Sequence, residues 1–261
     1  MKTRATGFSL FLGRRIKKSS EYLYRRSWAE MQLSFVTGIY HAFIQKQSVD
    51  EAKRMSEYMR GQFQYFGIRA PQMKEVLKQF IKENGYPKRE DIKKIIHQLY
   101  NQEQRELQIV ALAVMDYKLK KFPEFDDIEL MEYMIVTKPW WDTVDHIASN
   151  QVGHYFKKFP EQVPLYIEKW VSSSNIWLKR TAILFQLKYK QGTDFELLQS
   201  IIIRCQGSNE FFINKAIGWA LREYSKINKD AVVSFATAYE KQLSNLSIRE
   251  GLKWLRAKKL I

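Results

Sequence analysis

The sequence predicts an all-α protein, a solenoid of stacked antiparallel helix pairs. Three observations carry that expectation. Apolar residues recur at helical spacing along most of the chain, no stretch alternates at the two-residue period of a strand, and helix starts recur at a nearly fixed interval. The scarcity of turn formers agrees: 261 residues contain only 11 Gly and 6 Pro, too few for a β-rich fold full of tight turns.

Taken in chain order, Val76, Leu77, Phe80 and Ile81 paint one helix face, and Ile92, Ile95, Ile96 and Leu99 paint the next. Leu107, Val110, Ala111, Val114 and Met115 form a third stripe, and Phe195, Leu198, Ile201 and Ile202 a later one. Breaks fall at short polar or Pro/Gly clusters at 68–71, 85–87, 122–125, 158–160, 172–175, 192–194 and 207–209. Pro71 suits a first helical turn, where its missing N–H costs nothing. Asn175 and Ser208 suit the caps of the helices after them. Helix starts near 71, 105, 140, 175 and 209 lie 34 or 35 residues apart. Gln108, Arg180 and Lys215 are each followed nine residues on by Tyr117, Tyr189 and Tyr224. The small residues and closing proline of TPR repeats are absent, so the expectation is a HEAT-like solenoid, curved, with a basic concave groove. Residues 1–31 read as a basic N-terminal extension and 32–261 as the repeat domain.

The charge points to a polyanion. Lys and Arg number 43 against 28 Asp and Glu, a formal +15, with a pI near 9.7. Residues 1–30 carry +6 of this (eight Lys/Arg against Glu21 and Glu30), so +9 remains on the body. Nucleic acid is the first partner such a charge suggests, and an anionic membrane surface the second. The acid-free stretch 1–20, with its short apolar patch at 8–12, has the composition of a phosphate-tracking arm or of an organellar transit peptide. The longest apolar run, 109–115, is far short of a membrane span. A lone Cys205 excludes a disulfide framework or a cysteine zinc cluster and suits a reducing cytoplasm.

Familiar catalytic motifs are missing. The chain has no glycine-rich phosphate loop, no HExxH and no GxSxG, and its four histidines lack metal-motif spacing. No metal or other cofactor is expected. The remaining chemistry is aromatic and charged. In 137–145, TKPWWDTVD, a helix opened by Pro139 would put Trp141 and Asp145 four apart on one face, while Asp142 points elsewhere. On periodicity alone both tryptophans also read as core, and Asp145 as a solvated or paired carboxylate. Arg180 sits within an apolar helix, where it needs a groove, a carboxylate or a phosphate. Gly218 allows a backbone or a ligand to come close beside Trp219. Because corresponding helices of a solenoid line one face, Trp141, Asp145, Arg180 and Trp219 are expected to converge. Two aromatic faces, a carboxylate and a guanidinium suit a cationic group carried on a polyanion.

Four stretches resemble the AlkD family of DNA alkylation-repair glycosylases: IVTKPWWDTVD at 135–145, NIWLKRTAILFQLKYK at 175–190, EFFINKAIGWALREY at 210–224 and MSEYMRGQFQYFGIRAP at 55–71. The resemblance spans about residues 32–258. It implies excision of cationic N3- and N7-alkylated purines from duplex DNA without a tight base-flipping pocket. It further implies Asp145 as the catalytic aspartate, Trp141 and Trp219 beside the lesion nucleotide, Arg180 at the DNA backbone, and Tyr58 at the same cleft. Arg69, Lys179, Lys188, Lys190 and Arg222 are candidate phosphate contacts. The implied protein is a monofunctional, cytoplasmic monomer that associates with the nucleoid when bound to DNA. Three readings compete: a non-catalytic repeat protein that binds distorted or branched DNA, a solenoid that binds protein, and a peripheral membrane protein anchored by its basic leader.

Overall fold

The computed structural model describes residues 35–118 and 122–261, so the expected extension at 1–31 lies outside the described residues. The described residues form a chain of helices, mostly α with one π-helical and two 3-10 turns, with one isolated bridge between Gln64 and Gln104. Backbone contacts divide them into two compact units, one ending at Val110 and one running Ala111–Ile261.

The first unit contains α1 (35–44), α2 (Val49–Tyr58), α3 (Ala70–Asn84), α4 (Arg89–Asn101) and the start of α5 (Arg105–Lys118). Its core is the set of apolar stripes read from sequence, with Ile92, Ile95, Ile96, Leu99 and Leu107 buried beside Ile39, Phe43 and Ile68. Pro71 does sit in the first turn of α3. The loop before α3 is held by Glu106. Its buried carboxylate accepts the backbone N–H groups of Phe66, Gly67 and Ile68 at 3.2, 2.9 and 3.1 Å. Burial pushes the Glu106 carboxyl above the ordinary glutamate range, against the pull of those N–H groups. Gly67 has φ +87°, and a Cβ there would lie 2.1 Å from the Ser48 carbonyl oxygen, so only glycine fits.

The second unit continues with α6 (Asp127–Val136), α7 (Trp141–His146), a π-helical turn (Ile147–Val152), α8 (Gly153–Lys158) and α9 (Val163–Ser172). It ends with α10 (Ile176–Leu184), α11 (Phe195–Cys205), α12 (Phe211–Ser225), α13 (Lys229–Ala238) and α14 (Asn245–Ala257). The fully buried Trp170 anchors its core against Phe156 and Tyr166 and donates its indole N–H to Glu132 at 2.9 Å. Side-chain caps fix where helices begin. Asn175 accepts from the N–H groups of Trp177 and Leu178, Asp194 from Leu197 and Ser244 from Ser247.

The repeat read from sequence is present. Helices α3, α5, α7, α10, α12 and α14 start at 70, 105, 141, 176, 211 and 245, steps of 34 to 36 residues, and the last extends the series by one repeat. Two local expectations change. Ser208 does not cap α12; it accepts the Glu210 N–H in the preceding turn, and α12 begins at Phe211. Pro139 does not open α7; it follows Lys138, at φ +45°, and the helix begins at Trp141. Among the described residues no helix is long and apolar enough to cross a membrane.

Helices α12 and α14 meet along a line of small residues. A Cβ on Gly218 would lie 2.6 Å from Glu250 Cβ and 2.9 Å from the Ser247 carbonyl oxygen. The close approach that Gly218 permits is therefore to another helix. Gly218→Ala is expected to destabilise the protein by about 1–3 kcal/mol through overpacking. Denaturant unfolding checks this, and an unchanged midpoint would contradict the close packing.

Candidate functional site

Trp141, Asp145, Arg180, Trp219 and Arg222 line one cleft of about 350 Å³ within the second unit. The first two come from α7, Arg180 from α10 and the last two from α12, so three successive repeat starts supply the site. Trp141 and Asp145 share a face of α7, as their spacing predicts, and Trp219 and Arg222 lie three apart on α12.

Arg180 and Asp145 form a bidentate ion pair. Arg180 Nε donates to Asp145 Oδ1 at 2.7 Å and Nη2 donates to Oδ2 at 2.8 Å. Arg180 is 3% exposed and Asp145 15%. Arg180 Nη1 also donates to the Phe212 carbonyl, and the guanidinium stands 5.8 Å from the Phe212 ring centroid. Of the partners the sequence left open for Arg180, the structure shows the carboxylate. Burial pushes the Asp145 carboxyl above the ordinary aspartate range; Arg180 pulls it down, and Asp142 adds a smaller upward push.

The two adjacent tryptophans divide. Trp141 lines the cleft, whereas Trp140 packs with Trp177 and Phe212 at ring distances of 5.7 and 5.1 Å, and those two rings stand 4.9 Å apart. This triad joins the start of α7 to α10 and α12, and so fixes the depth at which Asp145 meets Arg180. His146 is not part of the cleft lining. Its Nε2 lies 2.8 Å from Asp116 Oδ2, and Gln151 donates to Asp116 Oδ1 at 2.9 Å. The π-turn starts directly after His146; within it Ser149 bonds back to the Asp145 carbonyl and Asn150 to that of His146. Such turns recur at functional sites, where they redirect a helix.

Three other expected residues of the second unit, Lys179, Lys188 and Lys190, are not among the residues that line the cleft. Lys188 is exposed and donates to Asn150 Oδ1 at 2.7 Å, beside a separate recess that also holds His154 and Lys157. Lys190, at φ +53°, borders a third cavity, and Lys179 is half-buried near Cys205. Tyr58, 72% exposed, and Arg69, paired with Glu51 at 2.7 Å, belong to the first unit. Sequence reading missed Phe211, Phe212 and Lys215, which complete the cleft lining. Lys215 was detectable, because it stands 35 residues after Arg180, as Arg180 does after Asp145. Among the described residues no group of three or more His, Cys, Asp or Glu is placed to hold a metal ion.

A family model described as DNA alkylation repair enzyme matches residues 39–255. A solved structure described as a predicted DNA alkylation repair enzyme from Enterococcus faecalis is similar at 33% identity and TM-score 0.73. The match covers 80% of this chain and 96% of that one. No curated protein matches. The residues of the cleft all fall inside the matched span, and the chain belongs to the DNA alkylation repair enzyme family.

Proposed function

We propose that this member of the family is a monofunctional DNA glycosylase that hydrolyses the N-glycosidic bond of cationic N3- and N7-alkylated purines in duplex DNA. Family membership supports a role in alkylation repair with DNA as partner. The observation that carries the finer reading is the cleft, where one half-buried carboxylate, Asp145, is grouped with the two indoles of Trp141 and Trp219.

An alkylated purine of this class already bears a positive charge. When the C1′–N bond breaks, its electron pair moves to the purine and neutralises it, so the base departs without a general acid. Positive charge develops on the deoxyribose instead. Asp145 stabilises that charge and orients a water; as the water oxygen bonds to C1′, its proton passes to the Asp145 carboxylate and from there to solvent. Each carboxylate oxygen accepts one bond from Arg180 and keeps a lone pair for this water. The faces of Trp141 and Trp219 attract the cationic base and cover the sugar. His146 is engaged by Asp116, which agrees with a mechanism that needs no acid beside Asp145. The enzyme acts as a monomer in this reading, and the remaining Lys and Arg supply salt-dependent contacts to phosphates.

Single-turnover release of 7-methylguanine from a duplex oligonucleotide tests the reading. Wild type releases the base, and Asp145→Asn slows release by roughly 100-fold or more while retaining DNA affinity. Equal rates would contradict the role of Asp145. Absence of release from both 7-methylguanine and 3-methyladenine substrates, with binding intact, would instead favour a non-catalytic DNA binder.

The opposing influences on Asp145 also fix a pH dependence. The reaction needs the ionised carboxylate, so the rate falls as pH drops through the Asp145 pKa, which burial sets above the ordinary aspartate value. Arg180→Gln removes the lowering influence and is expected to move this acid limb to higher pH. A limb that stays in place in the variant would show that the carboxylate does not govern it.

A further inference from the structure

Positions 145, 180, 215 and 250 are each 35 residues apart and fall on α7, α10, α12 and α14. They carry Asp, Arg, Lys and Glu. The first two close on each other as the ion pair described above. The last two form a second pair: Lys215 Nζ stands 2.9 Å from Glu250 Oε1. The other oxygen of Glu250 accepts from Arg222 Nη1 at 3.0 Å. One carboxylate thus holds two cations. Lys215 and Arg222 line the cleft with Asp145 and Trp219, whereas Glu250, 9% exposed, stands behind them on α14. Gly218 makes this possible, since its missing side chain leaves room for Glu250 against α12. The cations beside Glu250 hold its carboxyl below the ordinary glutamate range, so it is ionised near neutral pH.

The charges then add up simply. Asp145 and Arg180 cancel, and Lys215 with Arg222 exceed Glu250 by one positive charge. Both cations retain N–H donors beyond those given to Glu250. We propose that Lys215 and Arg222 form the seat for one backbone phosphate beside the reacting nucleotide, with Glu250 limiting the trio to one net positive charge. A phosphodiester carries one negative charge and several acceptor oxygens, which matches one net positive charge presented by two donors. The assignment rests on this cleft being the one that receives DNA. It adds Lys215 and Glu250 to the residues expected from sequence and gives Arg222 a defined partner.

The test is the salt dependence of binding to an undamaged duplex, which requires no excision and so fails independently of the glycosylase reading. Affinity is measured across a range of salt concentrations, with thermal unfolding by circular dichroism run on each variant. Each phosphate contact contributes about 0.9 to the slope of log K against log salt. Lys215→Met leaves a neutral Arg222–Glu250 pair and is expected to lower the slope by about 0.9. Glu250→Gln is expected to tighten binding, because the competing carboxylate is gone. The combined Lys215→Met and Glu250→Gln variant restores one net positive charge and is expected to return the slope to the wild-type value. That recovery also covers the case in which Glu250→Gln alone fails to fold, since the double variant keeps the original charge balance. A slope unchanged by Lys215→Met would overturn the proposal, as would a double variant no better than Lys215→Met; the trio would then be only a lock between α12 and α14.

Discussion

Arg180 places an almost fully buried guanidinium against both oxygens of Asp145. A lone carboxylate at this depth would be protonated or would destabilise the fold, and a lone guanidinium would be costlier still. The pair therefore has to form. Once formed, it ties α7 to α10 at the point where the cleft opens, and the third bond of Arg180, to the Phe212 carbonyl, extends the tie to α12. Breaking such a pair by removing one partner costs about 3–5 kcal/mol, so the same contact serves the fold and the site. The aromatic triad of Trp140, Trp177 and Phe212 packs beside it, with the Phe212 ring 5.8 Å from the Arg180 guanidinium.

The 35-residue repeat explains how so few residues suffice. Equivalent positions on successive helices come into line, so one position recurring in four helices yields Asp145, Arg180, Lys215 and Glu250 as neighbours in pairs. The glycine on α12 belongs to the same logic. With Gly218 in place α14 approaches closely enough for Glu250 to reach two cations. The site is thus a by-product of repeat packing decorated with charge, in contrast to a pocket built from loops.

Much of this was legible in the sequence, and the reasons are specific. Apolar spacing gave the helices, and the interval between starts gave their order in the stack, because both follow from fixed helical geometry. The convergence of Trp141, Asp145, Arg180 and Trp219 followed from the repeat, whereas Arg222 was expected only as a phosphate contact. What was not legible depends on packing between elements. The spacing put Trp141 on the face of Asp145, but nothing in it shows that Trp140 packs against Trp177 and Phe212. The π-turn after His146 arises from side chains bonding back to carbonyls, and composition does not announce it. Glu250 was missed because its partners lie on another helix, and the cap was misplaced at Ser208 because the preceding turn runs two residues further, to Glu210. In the first unit, the grip of Glu106 on three backbone N–H groups shapes the loop leading to Arg69, a contact that no local pattern in the sequence encodes.

The central claim is that the alkylated base leaves whole and that its sugar stays in the strand. Mass spectrometry of both products from a duplex holding one 7-methylguanine tests this most directly. The account predicts free 7-methylguanine and an unbroken strand bearing one abasic site. Recovery of an intact strand in which the lesion has become guanine would contradict it, because that outcome removes the alkyl group and leaves the glycosidic bond untouched.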